Sequence, residues 1–503
     1  MIETIGGIGM SPLEILLLLG VVGLLSSRWC PPRARRPVAL AAAAVVALSG
    51  IALTVRGLRW QMAPALAGVL VALAFAAPVL AGRPARRMRR WLALPGVVAC
   101  LGLVCASAAA AWAVPVPVFP GPSGPYAVGT AVMQWTDVSR PEPATDEPGD
   151  HRTVVVQLWY PAPKGTAGPR ARYLGRTERE ARTVADGLTG YIGVPAFLLD
   201  DAVRARTGAV YDAPAAAGRF PIVLFSPGLG GVRTQNTAWA EELAGRGYVV
   251  AALDHPYDSA AVVLDDGRTI RTRVVATGDD EEDRRLATGW TAVRAADLSF
   301  VLTQLGRLDR GEIRGPLTGR LDTARAAATG HSMGGGASLR AARQDSRFAA
   351  VIDLDGYPYD PAPRPYHQPV LALTHPVDPA DNPSYIPRLT RILSLSTSES
   401  YRITVPGAAH LTFADAPLYM PPVPSVVGSL GRTGGLSVTT AATVAFLDAT
   451  LRDKPGDLAT LLRPYGDLTV HRPVRKDDTG DRGADGGHDG LDRVRAGRPA
   501  PGS

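Results

Sequence analysis

The sequence predicts an α/β domain built on a mostly parallel central sheet with helices on both faces, preceded by an all-α block of about four apolar helices. Three observations carry this. Apolar runs of bilayer-spanning length, about 20 residues in a helix, fill residues 1–114. From Tyr126 to about Arg472 short β-rich runs alternate with helical stretches, the pattern of a layered α/β sheet. Runs such as VVAAL and FAAVI are apolar throughout, as strands covered on both faces of a parallel sheet are.

With 503 residues, 46% hydrophobic and 20% charged, the chain is excluded from the mainly disordered and collagen-like classes. The net charge of +7 belongs to the N-terminal block. Arg28, Arg33, Arg35, Arg36, Arg56, Arg59, Arg83, Arg86, Arg87, Arg89 and Arg90 face only Glu3 and Glu14 there, and the remainder is almost neutral. The basic balance is therefore no footprint of nucleic-acid binding, and no nucleic-acid partner is expected. Cys30, Cys100 and Cys105 also lie in this block, so from residue 115 onward neither a disulfide scaffold nor a cysteine-ligated metal site is available.

The expected spans are residues 5–25, 38–55, 62–81 and 91–114, the first interrupted by Glu14, Gly20 and Gly23. Arginines crowd the first and third loops and are sparse in the second, where only Arg56 and Arg59 occur. The positive-inside rule then makes the first and third loops cytoplasmic. This predicts a multi-pass protein of the cell membrane with everything after Val114 on the extracytoplasmic side. Trp29, Trp60, Trp91 and Trp112 fall at span ends, where an amphipathic indole favours the lipid–water interface. A competing pattern shares the fourth span. Residues 86–90, 92–104 and 106–111 read in turn as the basic, apolar and small-residue parts of a secretory signal, and cleavage there would release the domain.

Residues 115–125 (PVPVFPGPSGP) form a stiff Pro-rich linker, residues 126–472 the α/β domain, and residues 473–503 a polar, Gly-rich tail expected to be disordered. Strands are expected at 153–159, 221–226, 248–253, 324–329, 348–354, 369–374 and 401–405. Helices are expected at 235–245, 291–305, 333–342 and 439–452. The acidic run GDDEEDRR at 278–285 reads as a solvated loop rather than a cation site, because consecutive acids point in different directions.

The chemistry gathers in three places. Gly330-His331-Ser332-Met333-Gly334 is a G-x-S-x-G between an apolar strand and a helix-prone run, the context of a nucleophile elbow. Ser332 needs a base at neutral pH, and His410, in a short loop after the strand YRITV, is the histidine in the right chain order. The carboxylate that would orient His410 is either Asp355, at the carboxyl end of FAAVIDLDG, or Asp378, after the next strand; spacing alone leaves both open. Asp353, one pleat earlier, reads as a buried or capping acid. The segment FSPGLGG at 225–231 can bend close to a substrate, and the N–H groups of Leu229 and Met333 are the expected oxyanion donors. A phosphate-binding loop is the weaker reading of that segment, since no Lys and Ser/Thr follow in register.

FSPGLGG with AWAEELAGRGYVVAALDHPYDSA, GHSMGGGASLRAARQDSRFAAVIDLDGYP and VPGAAHLTFAD resembles the plasma-type (isoform II) platelet-activating-factor acetylhydrolases of the α/β-hydrolase fold. Less specifically it is similar to bacterial polyester hydrolases and cutinase-like lipases, which share the GHSMGGG elbow. The resemblance spans about residues 120–455, including an opening hairpin of PSGPYAVGT and VVVQLWYPA. It departs from the family's frequent SHGLG in having Pro227. The acetylhydrolase pattern places the acid on Asp355 and the polyester-hydrolase pattern on Asp378. It implies a metal-free, cofactor-free serine hydrolase of carboxylic esters, with short or oxidised sn-2 acyl chains of phospholipids as the substrate class and a polyester hydrolase, lipase or general esterase as the alternative. A non-catalytic binding or sensory module on a membrane anchor is the reading of another class.

Overall fold

The computed structural model describes residues 9–82, 90–274, 277, 279–380 and 382–473. The N-terminal block holds α1 (Pro12–Ser26), α2 (Pro32–Arg56), α3 (Ala63–Leu80) and α4 (Arg90–Ala113). The residues that interrupt the first apolar run each have a place. A Cβ at Gly20 would stand 2.7 Å from the Val46 side chain and one at Gly23 3.1 Å from Ala42, so α1 and α2 approach closely there. Glu14 closes a capping box with Ser11 and pairs at 3.2 Å with Arg59, both carboxylate and guanidinium being buried. Arg59 also reaches Asp201 Oδ2 at 2.9 Å and the Gly9 carbonyl at 2.9 Å. The start of α1, the α2–α3 loop and Val114 thus meet at one end of the block, as an up-and-down arrangement of four helices requires. The arginine-rich third loop, residues 83–89, lies outside the described residues, as do residues 1–8 and the tail from 474 onward.

The domain is an eleven-stranded sheet in the order β13-β12-β11-β10-β9-β5-β6-β2-β1-β4-β3. Its N-terminal side comprises β1 (Ala127–Pro141), β2 (His151–Ala162), β3 (Arg170–Arg172) and β4 (Arg206–Tyr211), with α5 (Glu178–Ile192) and α6 (Asp200–Arg204) between β3 and β4. The parallel centre follows with β5 (Phe220–Ser226), α7 (Thr237–Gly245) and β6 (Val249–Asp254), then a separate hairpin of β7 (Ala261–Val263) and β8 (Thr269–Arg271), α8 (Asp280–Asp309), β9 (Leu321–His331), α9 (Met333–Gln344) and β10 (Phe348–Leu354). The C-terminal side holds β11 (Val370–Thr374), α10 (Tyr385–Leu393), β12 (Ser400–Thr404), the one-turn α11 (Pro424–Val427), α12 (Gly431–Leu451), α13 (Leu458–Leu462) and the antiparallel edge strand β13 (Asp467–His471).

Two cores enclose the sheet. On one face Leu298, Val301 and Leu305 of α8 and Leu339 of α9 pack on Ile222, Leu224 and Val351. On the other, Trp239 and Leu243 of α7 and Phe446 and Leu447 of α12 pack on Val223, Phe225 and Ile352. Such full burial is what apolar strands without alternation require. Among the described residues, five helical segments are long and apolar enough to cross a membrane by length and composition. Four form the N-terminal block; the fifth, residues 424–451, covers the sheet through α12 and is a helix of the domain.

One feature of register positions the site. Leu354 lies opposite His331 on one side and Leu373 on the other, and Ser226 lies opposite Gly330. Neighbouring parallel strands therefore end level, and the residues that follow them emerge together at one edge of the sheet.

Candidate active site

Ser332 stands between β9 and α9 with φ +56°, the left-handed conformation a sharp strand-to-helix turn imposes on its central residue. The flanking glycines are dictated by contact. A Cβ at Gly330 would come within 2.2 Å of the Gly334 backbone, and one at Gly334 within 1.9 Å of the Ser226 carbonyl oxygen. The Ser332 N–H donates to the Leu354 carbonyl at 2.9 Å, tying the turn to β10.

His410 Nε2 lies 3.0 Å from Ser332 Oγ, and His410 Nδ1 lies 2.6 Å from Asp355 Oδ2. Asp355 also has φ +56° and follows β10, so level strand ends bring both turns to the same place. Between the two acids that spacing left open, the structure brings Asp355 to His410. Asp378 is exposed, accepts the Ala380 N–H at 2.9 Å within its own turn, and lines the same cavity without a hydrogen bond to His410.

Asp355 has partners that the sequence reading did not assign. The His375 Nδ1 lies 2.6 Å from the same Oδ2, the His375 backbone N–H donates to Oδ1 at 3.0 Å, and the Tyr385 hydroxyl donates to Oδ1 at 3.2 Å. Burial alone would raise the Asp355 pKa, but the hydrogen bonds from His375 and His410 outweigh it and hold the carboxyl well below the usual carboxylate range. The bond to Asp355 in turn raises the His375 pKa against a smaller opposing effect of burial. The donor atoms of Asp355, His375 and His410 all lie within 4.8 Å, the one such grouping among the described residues able to hold a metal ion. In this arrangement both Nδ1 atoms are already directed at one carboxylate oxygen.

Asp353 is fully buried, and burial together with the nearby Asp355 charge pushes its pKa well above the carboxylate range. It accepts the Gly356 N–H at 2.8 Å. The expectation of a buried acid outside the site fits this placement. His255, which follows β6, is wholly buried between Ser226 Oγ (2.9 Å) and Asp297 Oδ2 (2.8 Å).

A relay joins the three loops. Gln235 Oε1 accepts the Gly228 N–H at 3.0 Å, Gln235 Nε2 lies 2.8 Å from His331 Nδ1, and His331 Nε2 lies 2.9 Å from the His410 carbonyl. These partners assign the proton to His331 Nε2. Burial, with His410 close by, lowers the His331 pKa to about 3, so the ring is neutral and serves as a spacer. The role of Gln235 is not legible in the sequence because His331, the partner that completes the relay, lies far along the chain.

Leu229 and Met333, with Ser332 and His410, line a cavity of about 460 Å³. Met333 is the first residue of α9, where a backbone N–H has no intrahelical acceptor, and among the described residues the Leu229 N–H has none either. An adjoining space of about 530 Å³ shares Leu229, Met333, Tyr357 and Tyr359 and extends along Ala287 and Trp290 of α8. Trp290, Tyr357 and Tyr359 give that space an aromatic side, beside Asp283, Arg284 and Asn382. The acidic run read as a loop is the start of α8, whose Asp279 caps the Glu281 and Glu282 N–H groups.

The profile of the family described as platelet-activating factor acetylhydrolase, isoform II, matches residues 115–455, well over half of the chain. The chain belongs to that family. Among curated acetylhydrolase-type relatives, a probable 1-alkyl-2-acetylglycerophosphocholine esterase of Arthroderma benhamiae is 27% identical over 271 residues, covering 50% of this chain and 63% of that protein. The platelet-activating factor acetylhydrolase of Cavia porcellus is 27% identical over 259 residues, covering 47% of this chain and 55% of its own length. The chain thus spans less than two thirds of these family members. A ferulic acid esterase from Streptomyces cinnamoneus superposes with a TM-score of 0.57 at 28% identity, over 70% of this chain and 99% of that one. The acetylhydrolase match begins at the Pro-rich linker and leaves the N-terminal helical block outside it.

Proposed function

We propose that the protein is a membrane-anchored serine hydrolase of carboxylic esters, acting on phospholipids with short or oxidised sn-2 acyl chains. The observation that carries the reading is the alignment Ser332 Oγ, His410, Asp355, at 3.0 and 2.6 Å, on the wall of a cavity that Leu229 and Met333 also line. Ser332 Oγ attacks the acyl carbonyl carbon while His410 Nε2 takes its proton, and the Leu229 and Met333 N–H groups hold the resulting oxyanion. Collapse breaks the ester C–O bond, and His410 returns the proton to the departing alcohol. Water, deprotonated by His410, then attacks the acyl-enzyme and releases the carboxylic acid. Asp355 holds the imidazole in the required tautomer. Exposed Leu48, Ile51, Val55 and Leu70 on the helical block support a lipid-facing anchor, and the arginine distribution supports a domain outside the cytoplasm.

The full chain in detergent is expected to turn over p-nitrophenyl acetate and butyrate and to release acetate from 1-alkyl-2-acetylglycerophosphocholine. No turnover of any ester would leave the binding-module reading in its place. The aromatic wall formed by Tyr357, Tyr359 and Trp290 favours a second reading, an ester of a hydroxycinnamic acid. A kcat/KM for methyl ferulate above that for the acetyl phospholipid would select it.

The environment of Asp353 gives a prediction. Asp353→Asn exchanges a neutral acid for a neutral amide and is expected to keep ester turnover within about twofold. An acid with a raised folded pKa contributes stability that is complete below its unfolded pKa, about 3.9, and is lost as pH rises toward the folded value. The Asn variant lacks this loss, so urea unfolding should show it at least as stable as the parent at pH 8.

A further inference from the structure

The Leu229 N–H can serve as an oxyanion donor only if the peptide carrying it is held in one orientation, and Leu229 belongs to no helix or strand. The loop lies directly over the nucleophile: a Cβ at Gly228 would stand 3.4 Å from Ser332 Cβ. Behind it, Arg294 of α8 is wholly buried, and each of its five N–H donors has an acceptor. Nε and Nη2 grip Asp258 at 2.6 and 2.5 Å. Nη1 donates to Ser226 Oγ at 3.3 Å and to the Pro227 carbonyl, and Nη2 donates to the Gly228 carbonyl at 3.0 Å.

In a trans peptide the C=O of one residue and the N–H of the next point in opposite directions. A guanidinium that draws the Gly228 carbonyl toward α8 therefore turns the Leu229 N–H away from α8. Leu229 lines the cavity shared with Ser332 and Met333, so an N–H turned from Arg294 is available to that cavity. The Gly231 N–H, at 2.9 Å from the same carbonyl, tightens the turn without setting which side of it faces α8. Asp258 is in turn held by its own N–H on the His255 carbonyl at 2.9 Å, in the segment following β6. The fixture thus reaches from α8 through two loops to the bond being broken.

We propose that Arg294 is a positioning residue for the oxyanion hole, fixing through the Pro227 and Gly228 carbonyls the direction of the Leu229 N–H. The inference rests on the reading of Ser332 and Leu229 given above and names a residue outside the cavity lining on which that reading depends. Lysine cannot reproduce it, because a single ammonium cannot span Asp258 and two successive carbonyls in the plane of a guanidinium.

The test uses the full chain in detergent, with p-nitrophenyl butyrate as substrate and a fluorophosphonate to count competent sites. A trifluoromethyl ketone is the probe of the hole: Ser332 Oγ adds to its carbonyl carbon, His410 takes the proton, and the oxygen becomes a tetrahedral oxyanion. Arg294→Lys, which keeps a cation opposite Asp258, is expected to lower kcat per labelled site at least about tenfold. KM should stay within about threefold, and affinity for the ketone should fall in parallel with kcat. Arg294→Met combined with Asp258→Leu removes the clamp without stranding a buried charge and should show the same pattern. A variant with a lower unfolding temperature but unchanged kcat per site and unchanged ketone affinity would reduce Arg294 to a structural role and overturn the proposal. A parent protein that neither labels at Ser332 nor turns over esters would instead refute the serine-hydrolase reading itself.

Discussion

Ser332→Ala is expected to lower ester turnover by a factor on the order of 10⁴ to 10⁶ and to abolish labelling by a fluorophosphonate. His410 Nε2 has Ser332 Oγ as its hydrogen-bond partner at 3.0 Å, and alanine leaves no atom there to attack. The fold should not register the change. Alanine meets the same left-handed strain at φ +56°, so thermal unfolding of the variant should match the parent. Ser332→Gly, by contrast, relieves that strain and should raise stability by up to about 1 kcal/mol while being equally inactive. Activity and stability then move independently, which separates a lost nucleophile from a damaged protein. Labelling that persists in Ser332→Ala would mean that another residue is the nucleophile.

What the sequence revealed follows from how local each signal is. The elbow was legible because all its requirements are contiguous: an apolar strand, a residue at positive φ, and small neighbours where Gly330 and Gly334 meet backbone atoms. Six of the seven expected strands belong to the parallel run of the sheet, where burial on both faces leaves apolar runs, and the seventh is the antiparallel but almost wholly buried β2. The edge was not legible. The strand Arg170–Arg172 is three residues long and Asp467–His471 is only partly buried, so neither shows the pattern of burial. Asp279–Glu282 was misread because acids beside a chain turn resemble solvent-exposed loop, whereas here they cap a thirty-residue helix and complement its dipole. The roles of Gln235 and Arg294 depend on partners that the sheet register brings together, and register is not visible in single-residue spacing. Glu14 interrupts the first apolar run because it pairs with Arg59, which also pairs with Asp201, a partner far along the chain.

Asp355→Asn should lower kcat by about 10³- to 10⁴-fold, while Asp378→Asn leaves it within about threefold. The two acids are similar in sequence context and unlike in surroundings. Asp355 is almost wholly buried and accepts four hydrogen bonds, two of them from the Nδ1 atoms of His410 and His375. An amide at this position can turn its own N–H toward His410 Nδ1, forcing the proton onto Nε2, where it faces Ser332 Oγ and prevents the ring from acting as a base. Asp378 has its carboxylate on the Ala380 N–H in an exposed turn, and its loss alters only the mouth of the cavity. Stability supplies an independent check with a definite sign. The depressed pKa of Asp355 stabilises the folded state above the unfolded pKa of about 3.9, and this stability disappears as pH falls through and below that value. The parent should therefore lose stability on acidification more steeply than Asp355→Asn, whereas Asp378→Asn should follow the parent. Equal rates in the two variants would defeat the assignment of Asp355. A loss confined to Asp378→Asn would require the His410 loop to leave the position at which His331 now holds its carbonyl, because only such a movement could bring the imidazole to the other acid.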